Sequence, residues 1–313
     1  MSELGQALEE YLALRQSLGY TLRLPAQALR HFVAFMEARD APYITAELAL
    51  CWATEPAGVQ PATWADRLGV VRRFALWRRA TDPRTEVPAQ DLLPYRYQRK
   101  SPHLYTDEDI EKLLRSTAQL PSSKGLRAPT YATLFSLLAV TGMRVSEALA
   151  LDDKDVELTQ GILTIRRTKF GKSRLLPLHP TTTRALCRYL GRKDQLLPQL
   201  ATPALFVSER GTRITEWSAR YTFAKVSQRS GLRAEAKGHG RGPRLHDLRH
   251  RFAARTLIGW YRAGLEVERE LPKLATYLGH VHISETYWYL EAVPQLLHLA
   301  CERLLDEPEA VGP

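Results

Sequence analysis

A stretch without helical periodicity divides this 313-residue chain. It runs over residues 81–103 and contains four scattered prolines. Prolines at this density, with no repeating apolar positions between them, are typical of an extended connector. At roughly 150 residues per domain, the length also suits two domains. We therefore predict a helical domain over residues 1–90, a linker over 91–105 and a second domain over 106–313.

The first ninety residues carry apolar side chains at helical spacing. They predict helices over about 8–18, 25–38 and 61–80. The last of these carries several arginines, and four of them are candidate DNA contacts: Arg72, Arg73, Arg78 and Arg79. Such a face is either an ordinary solvated surface or a surface that lies along a phosphate backbone. The residues of this domain leave both interpretations open.

The second domain begins at Thr106 with a T-x-x-D capping box ahead of a helical apolar pattern. An apolar helix is predicted around 131–140, and a glycine follows it. Two short strands are predicted over 162–166 and 174–178, joined by a turn. The remainder is predicted to be mostly helical, apart from the Gly/Arg-rich stretch 236–244. The predicted fold class is therefore mainly α with a small β-hairpin.

Positive charge is concentrated in the second domain. Residues 1–100 contain 13 basic and 11 acidic residues, so +8 of the formal net charge of +10 lies in residues 101–313. A concentrated positive charge favours a polyanion such as DNA or RNA as partner, although a solvated basic surface gives the same excess.

Several functional classes are disfavoured by the sequence. No apolar run is long enough to span a bilayer, and the first ten residues carry acids where a signal peptide needs basic residues. Cys51, Cys187 and Cys301 are isolated, which fits neither a disulfide framework nor a zinc site. We expect no membrane partner, no metal and a cytoplasmic location.

Four separate segments of the second domain contain residues suited to a phosphate. In the first, Arg144 and Glu147 lie three residues apart on one face at a helix start. In the second, residues 166–174 of the hairpin include five basic residues and no acidic one. Each is weak alone, because Arg–Glu pairs and basic hairpins are common on protein surfaces.

The third segment places His246 and Arg249 three residues apart on a helix, beside the Gly/Arg-rich stretch. The fourth is Leu-Gly-His ending at His280, with Tyr289 nine residues later. A single Leu-Gly-His carries little information, and a tyrosine among apolar residues is ordinarily part of a core. The order and combination of the four segments are more specific than any one of them.

Taken together, the segments resemble the tyrosine recombinase (phage integrase) family. That family's catalytic pattern is an arginine in TG-x-R-x-x-E/D, a hairpin lysine, H-x-x-R, LGH and a tyrosine nine residues on. Every element occurs here in order, over about residues 105–295. The resemblance implies a two-domain clamp, with residues 1–90 as the core-binding domain and the rest as the catalytic domain.

The resemblance also implies a function. The chain would be a site-specific recombinase or integrase that works through a covalent 3′-phosphotyrosyl intermediate and a Holliday junction. Its partners would be double-stranded DNA sites and further recombinase subunits, as a homotetramer or together with other recombinases. It would act on DNA in a prokaryotic cytoplasm and need no cofactor. Mobile-element integration, transposition and resolution would all use the same residues.

The family's catalytic residues correspond to Arg144, Lys169, His246, Arg249, His280 and Tyr289. The two arginines would bind the nonbridging oxygens and supply the stabilisation that metal ions often provide. Lys169 would protonate the leaving 5′ oxygen, and the two histidines would assist proton transfer. Glu147 would orient its neighbours.

Two choices within the motifs depend on spacing alone. The nine-residue interval after His280 selects Tyr289 over Tyr287 as nucleophile, and the pattern K-x-x-K-x-R favours Lys169 over Lys172 as acid. The other basic loop residues are predicted DNA contacts: Arg167, Lys172, Arg174, Lys237 and Arg241.

Two other functions are compatible with parts of this pattern. A type IB topoisomerase uses the same chemistry as a monomer, and a silent DNA-binding regulator would need none of it. An amphipathic helix over residues 294–305 favours the recombinase, and we predict that it docks onto a neighbouring protomer. The complete set of catalytic residues argues against the regulator.

Overall fold

The structure is a computed structural model that describes residues 2–98, 101–166, 173–234 and 242–306. The chain separates into two compact units, Met1–Lys100 and Ser101–Pro313. This division falls within the segment 91–105 that we predict as the linker.

The described part of the first unit contains four helices. They are α1 (Glu3–Ser17), α2 (Arg23–Glu37), α3 (Ala46–Thr54) and α4 (Pro61–Arg78). The side chains of Ser2 and Thr45 cap α1 and α3 by accepting backbone N–H bonds, and a proline opens α4. Aromatic side chains fill the core, where the rings of Phe32 and Trp52 meet edge-on at 5.3 Å.

The arginines of α4 do not form one exposed face. Arg78 is only 8% exposed and forms ion pairs with Glu3 and Asp82. The guanidinium of Arg78 is thus engaged inside the unit, which does not favour the predicted DNA contact, and that contact stays a prediction. Arg72 is half-buried and donates to the carbonyl of Pro88 at 2.6 Å. Arg73 and Arg79 are exposed, as a DNA contact requires.

The second unit is built from helices around a small sheet. Its helices are α5 (Asp107–Thr117), α6 (Arg127–Thr141), α7 (Val145–Ala150), α8 (Pro180–Leu196), α9 (Glu216–Arg229), α10 (Asp247–Arg262), α11 (Val267–Leu278), α12 (Ser284–Ala292) and α13 (Pro294–Asp306). A short 3-10 helix, Asp153–Asp155, leads into the sheet. The predicted capping box at Thr106 and Asp109 is confirmed at the start of α5.

The three strands of the sheet are antiparallel and lie in sequence order. They are β1 (Val156–Glu157), β2 (Ile162–Ile165) and β3 (Arg174–Pro177). In β2 and β3, Ile162 pairs with Pro177 and Ile165 with Arg174. The predicted hairpin is confirmed, and β1 is an additional strand that the sequence pattern did not indicate.

Two apolar clusters hold the second unit together. Helix α6 is central to one of them, where Leu134, Phe135 and Leu138 are almost completely buried. The other joins α10, α11 and α12, and it includes Leu257 and Tyr289. Helix α13 packs on α10 and α12 of its own chain.

The molecule is mostly helical with a three-stranded sheet, which confirms the predicted fold class. None of the helices in the described ranges is both long and apolar enough to cross a membrane.

Candidate active site

Arg144 lies where a left-handed glycine ends α6 and the next helix begins. Gly142 has φ +61°, and a Cβ there would lie 2.5 Å from the ring of Phe252. Glycine is therefore required at this turn. Arg144 is the N-cap of α7, and its backbone N–H donates to Glu147 Oε2 at 2.9 Å. The TG-x-R sequence thus reflects a tight turn that presents the arginine at a fixed point.

Glu147 binds two guanidinium groups at once. Its Oε1 accepts from Arg144 Nη1 at 2.9 Å and from Arg174 Nη1 at 3.1 Å, and its Oε2 accepts from Arg174 Nη2 at 2.8 Å. Burial acts to raise the pKa of this carboxyl group, but the arginines outweigh burial and hold its pKa below the ordinary value. Glu147 is therefore ionised, and its carboxylate holds the guanidinium groups of Arg144 and Arg174 in position.

Arg174 has a different position from the one we expected. Its side chain is only 11% exposed, and its Nε donates to the carbonyl of Tyr277 at 2.9 Å. Its donors are directed at Glu147 and at the end of α11, an arrangement that does not favour the DNA contact predicted for Arg174, which stays a prediction. Arg174 supports the site from inside.

Arg249 on α10 is 3% exposed and is held by two backbone carbonyls. Its Nη1 donates to the carbonyl of Gly142 at 2.8 Å, and its Nη2 donates to that of Leu278 at 2.9 Å. Arg144 Nη2 donates similarly to the carbonyl of Gly279 at 2.9 Å. These acceptors lie at the C-terminal ends of α6 and α11, where unpaired carbonyls favour cations. Because a guanidinium has five N–H donors, it can be held along one edge and bind a phosphate along another.

The glycine of the Leu-Gly-His segment has a steric reason. Gly279 has φ +70°, and a Cβ there would lie 2.7 Å from Arg174 Nη1 and 3.4 Å from Arg144 Nη1. A side chain at this position would push the Arg174 guanidinium away and would lie in van der Waals contact with that of Arg144. The segment therefore ends α11 and leaves room for the arginines in the same three residues.

His280 contacts both the tyrosine and the arginine network. Its Nδ1 lies 2.7 Å from Thr286 Oγ1, and its ring is nearly parallel to that of Tyr289 with 6.1 Å between centroids. Burial, and then the charges of Arg249 and Arg144, lower the pKa of His280 to about 3. The imidazole is therefore neutral at physiological pH, with one nitrogen able to donate and the other to accept.

His246 precedes α10 and is more exposed than His280. Desolvation, and then the charge of Arg249, lower the pKa of this imidazole below its ordinary value. Both histidines of the predicted set are thus neutral beside the arginines.

Tyr289 belongs to the cluster, whereas Tyr287 faces solvent. The Tyr289 side chain is 3% exposed, and its ring lies 5.5 Å from that of His250 and 6.1 Å from that of His280. Burial raises the pKa of the Tyr289 hydroxyl, and Arg249 offsets part of the increase. Tyr287 is 42% exposed. The structure therefore brings Tyr289, but not Tyr287, together with the arginines.

His250 is a neighbour of the site that the sequence reasoning missed. Its ring lies 4.8 Å from that of His246, 5.5 Å from that of Tyr289 and 4.8 Å from that of Trp288. The available signal was its position directly after Arg249 and four residues after His246, on the same helical face.

Five predicted site residues lie outside the described residues: Arg167, Lys169, Lys172, Lys237 and Arg241. Within the described ranges, no group of three or more histidine, cysteine or acidic side chains is arranged to hold a metal ion.

Comparisons with known proteins identify the family of the chain. The sequence model of the phage integrase family matches residues 104–295. A protein of Sinorhizobium fredii named as an integrase/recombinase (y4rB) is 48% identical over 308 residues, which cover 97% of this chain and 98% of that protein. The chain belongs to the phage integrase family. It is a site-specific recombinase of the tyrosine type.

Other relatives of this recombinase are more distant. The tyrosine recombinase XerD of Caulobacter vibrioides is 31% identical over 246 residues, covering 78% of this chain and 74% of XerD. The Tn1549 transposon integrase, solved with transposon right-end DNA, matches 97% of this chain and all of that chain at 18% identity, with a TM-score of 0.63. XerH, solved with difH DNA after cleavage, matches 90% of this chain and 78% of that chain at 22% identity, with a TM-score of 0.61. Both structures support the fold.

Proposed function

We propose that this recombinase cleaves and rejoins duplex DNA through a covalent bond between Tyr289 and a 3′ phosphate. The observation that carries the proposal is the position of the buried Tyr289 side chain, which lies against the rings of His250 and His280 and whose pKa burial raises and the charges of Arg249 and Arg144 lower. The ring of Tyr289 is nearly parallel to that of His280, whose pKa burial and the charges of Arg249 and Arg144 lower. A phosphate at these arginines would meet the nucleophile directly.

The arginines supply charge where the reaction needs it. Attack on a phosphodiester puts negative charge on the nonbridging oxygens, and planar guanidinium groups bind such oxygens through two N–H donors each. Arg144 and Arg249 are fixed by Glu147 and by helix-end carbonyls, so they need not reorganise during the reaction.

Proton transfer falls to the histidines and the hairpin lysine. Tyr289 must lose its proton to attack, and a neutral imidazole at His280 or His246 can accept one. By the family resemblance, Lys169 donates a proton to the departing 5′ oxygen. The ester to Tyr289 keeps the energy of the broken bond, so the free 5′ hydroxyl can reverse the step on a new strand without ATP.

The proposed assembly is a tetramer on two DNA sites that exchanges strands through a Holliday junction. The DNA complexes of XerH and the Tn1549 integrase support DNA as the partner. In α13, Leu296 is fully buried within the chain, whereas Leu297 is 48% exposed. We propose that the exposed face of α13 docks onto a neighbouring protomer. Leu297→Glu should then impair pairing of two DNA sites more than binding to one.

The proposal is tested by trapping the covalent intermediate. The full-length protein first selects duplexes from a random-sequence pool, and these are rebuilt with a single nick at successive positions. A nick next to the cleavage site lets the 5′ end diffuse away, so the protein–DNA adduct should accumulate and survive denaturation. No adduct at any nick position, despite specific binding, would support the silent regulator. Relaxation of any supercoiled plasmid by the monomer would support the topoisomerase.

A further inference from the structure

A groove beside the active site exposes two stacked aromatic rings. We call it the aromatic groove; its volume is about 360 Å³, and its lining includes Trp217, Arg220, Tyr221, Arg233, Arg244 and Leu245. Trp217 and Tyr221 lie one turn apart on α9, with their rings nearly parallel and 5.1 Å between centroids. Trp217 is 73% exposed and Tyr221 is 44% exposed. A tryptophan this open on a helix surface adds little to the core and suits a binding surface.

The surroundings of the rings are basic. Lys225 Nζ lies 4.6 Å from the centre of the Tyr221 ring, and the lining contains three arginines. Arg220 is paired with Glu216 and Arg244 with Asp247, so the basic side chains around the rings outnumber these acids. Apolar rings inside a positively charged rim fit a nucleic acid better than an apolar protein surface.

The groove leads to the catalytic cluster. Leu245, part of its lining, directly precedes His246, and the positive charge of Arg220 contributes to the lowered pKa of that histidine. This step rests on the proposed function. Because the groove adjoins His246, a DNA phosphate bound at the catalytic arginines would bring neighbouring base pairs towards α9.

We propose that Trp217 reads the 5-methyl group of a thymine close to the scissile phosphate. In an intact duplex the base faces are stacked and inaccessible, but the thymine methyl projects into the major groove, which is wide enough to admit an α-helix. Trp217 lies in the first turn of α9, where a helix entering a groove presents its side chains to base edges. The methyl and the indole are both apolar, so their contact removes water from each surface.

The test compares two random-sequence duplex pools that differ only in that methyl group. One pool contains thymine and the other contains uracil, and the full-length protein selects from each. In the thymine pool we expect a preference for thymine at one or two positions near the cleavage site. In the uracil pool this preference should vanish, with affinity for the matched duplex falling about 3- to 10-fold.

Protein variants assign the contact to one side chain. Trp217→Ala should lose the thymine preference in the thymine pool and show no further loss with uracil, whereas Trp217→Phe should keep part of it. Arg220→Ala is the matched control, because it should weaken binding to all sequences and leave the selected motif unchanged.

Three results would overturn the proposal. The wild-type motif could be identical in both pools, Trp217→Ala could keep the wild-type motif, or Trp217→Ala could change only the oligomeric state. The first result uses the unmodified protein, so it does not depend on whether a variant folds. Trp217→Ala should still form the covalent adduct on its selected duplex at saturating protein. Failure of the wild type to form that adduct would instead count against the proposed function.

Discussion

Arginines cluster in both units of the molecule, but their neighbours hold them in different ways. In the first unit, Arg67 donates to the carbonyls of Trp52 and Ala53, and Arg78 is buried against Glu3 and Asp82. These arginines connect different segments of the first unit to α4. In the second unit, Arg144 and Arg249 converge on the carbonyl ends of α6 and α11.

The difference lies in where several positive charges meet. In the first unit, Arg67 and Arg78 each have separate carbonyl or acidic partners, so their positive charges do not add up at one place. In the second unit, Glu147 accepts hydrogen bonds from Arg144 and Arg174. Arg249 lies close to them and donates to carbonyls at two helix ends. One acid for several arginines leaves a net positive site, which is what a phosphate requires. Substitutions of the second unit's arginines should therefore impair cleavage, whereas substitution of a buried arginine in the first unit should lower stability.

Arg144→Lys should give the largest effect. It keeps the charge but removes the planar fork that binds two phosphate oxygens. We expect the rate of adduct formation to fall by about 100-fold or more, with DNA affinity within about threefold of the wild type. Single-turnover cleavage and equilibrium binding on the same duplex measure the two quantities. Cleavage at the original rate would remove Arg144 from the chemistry.

Arg174→Gln tests the position of an arginine that supports the site. Glu147 would lose two hydrogen bonds, and Arg144 would lose the partner that shares its carboxylate. We expect the cleavage rate to fall about 10- to 100-fold with little change in DNA affinity. The opposite pattern, weaker binding with an unchanged rate when bound, would support Arg174 as a DNA contact.

Arg78 and Arg79 form a matched pair in the first unit. Arg78→Ala leaves the buried Asp82 with one arginine fewer, and should lower the free energy of unfolding of this unit by about 3 kcal/mol. Arg79→Ala should change that free energy by less than about 0.5 kcal/mol. Denaturant titrations measure both.

The salt dependence of DNA binding measures whether Arg79 contacts DNA. If exposed Arg79 contacts a phosphate, Arg79→Ala should weaken DNA binding and reduce the slope of log affinity against log salt by about one. Unchanged DNA binding would show that the exposed arginines of α4 belong to an ordinary solvated surface.

The neutral His280 predicts a pH effect on stability. Its pKa is about 3 in the folded chain and about 6.5 when unfolded, so the unfolded chain binds a proton that the folded chain excludes. The free energy of unfolding should therefore fall as the pH drops below 6.5, by about 1–2 kcal/mol from this residue at pH 5. Thermal melts of the wild type and of His280→Gln from pH 7 to 5 isolate this contribution. If the melting temperatures of the two proteins fall equally with pH, His280 is not held neutral in the folded chain.

Much of the site could be predicted from the sequence because the motifs encode local geometry. Gly142 and Gly279 end helices, and the residues that follow them are thereby placed at fixed points. The hairpin and the capping box at Thr106 are local in the same sense, and both were found. These features need no knowledge of distant contacts.

The surroundings of two other predicted residues depend on contacts that are far apart in sequence. Arg78 pairs with Glu3, 75 positions away, and Arg174 bonds to the carbonyl of Tyr277, 103 positions away. An arginine on a helix or a strand looks the same in sequence whether it is exposed or buried. His250 was missed because its importance comes from contacts with rings of α12, which the sequence does not show as neighbours.

The most direct test of the account is to identify the residue that carries the DNA. The adduct trapped on the nicked duplex is digested with protease and nuclease, and the modified peptide is sequenced by mass spectrometry. We predict that the nucleotide is attached to Tyr289, that Tyr289→Phe gives no adduct and that Tyr287→Phe still gives one. Attachment to Tyr287 or to any other residue would refute the assignment of Tyr289 as the nucleophile.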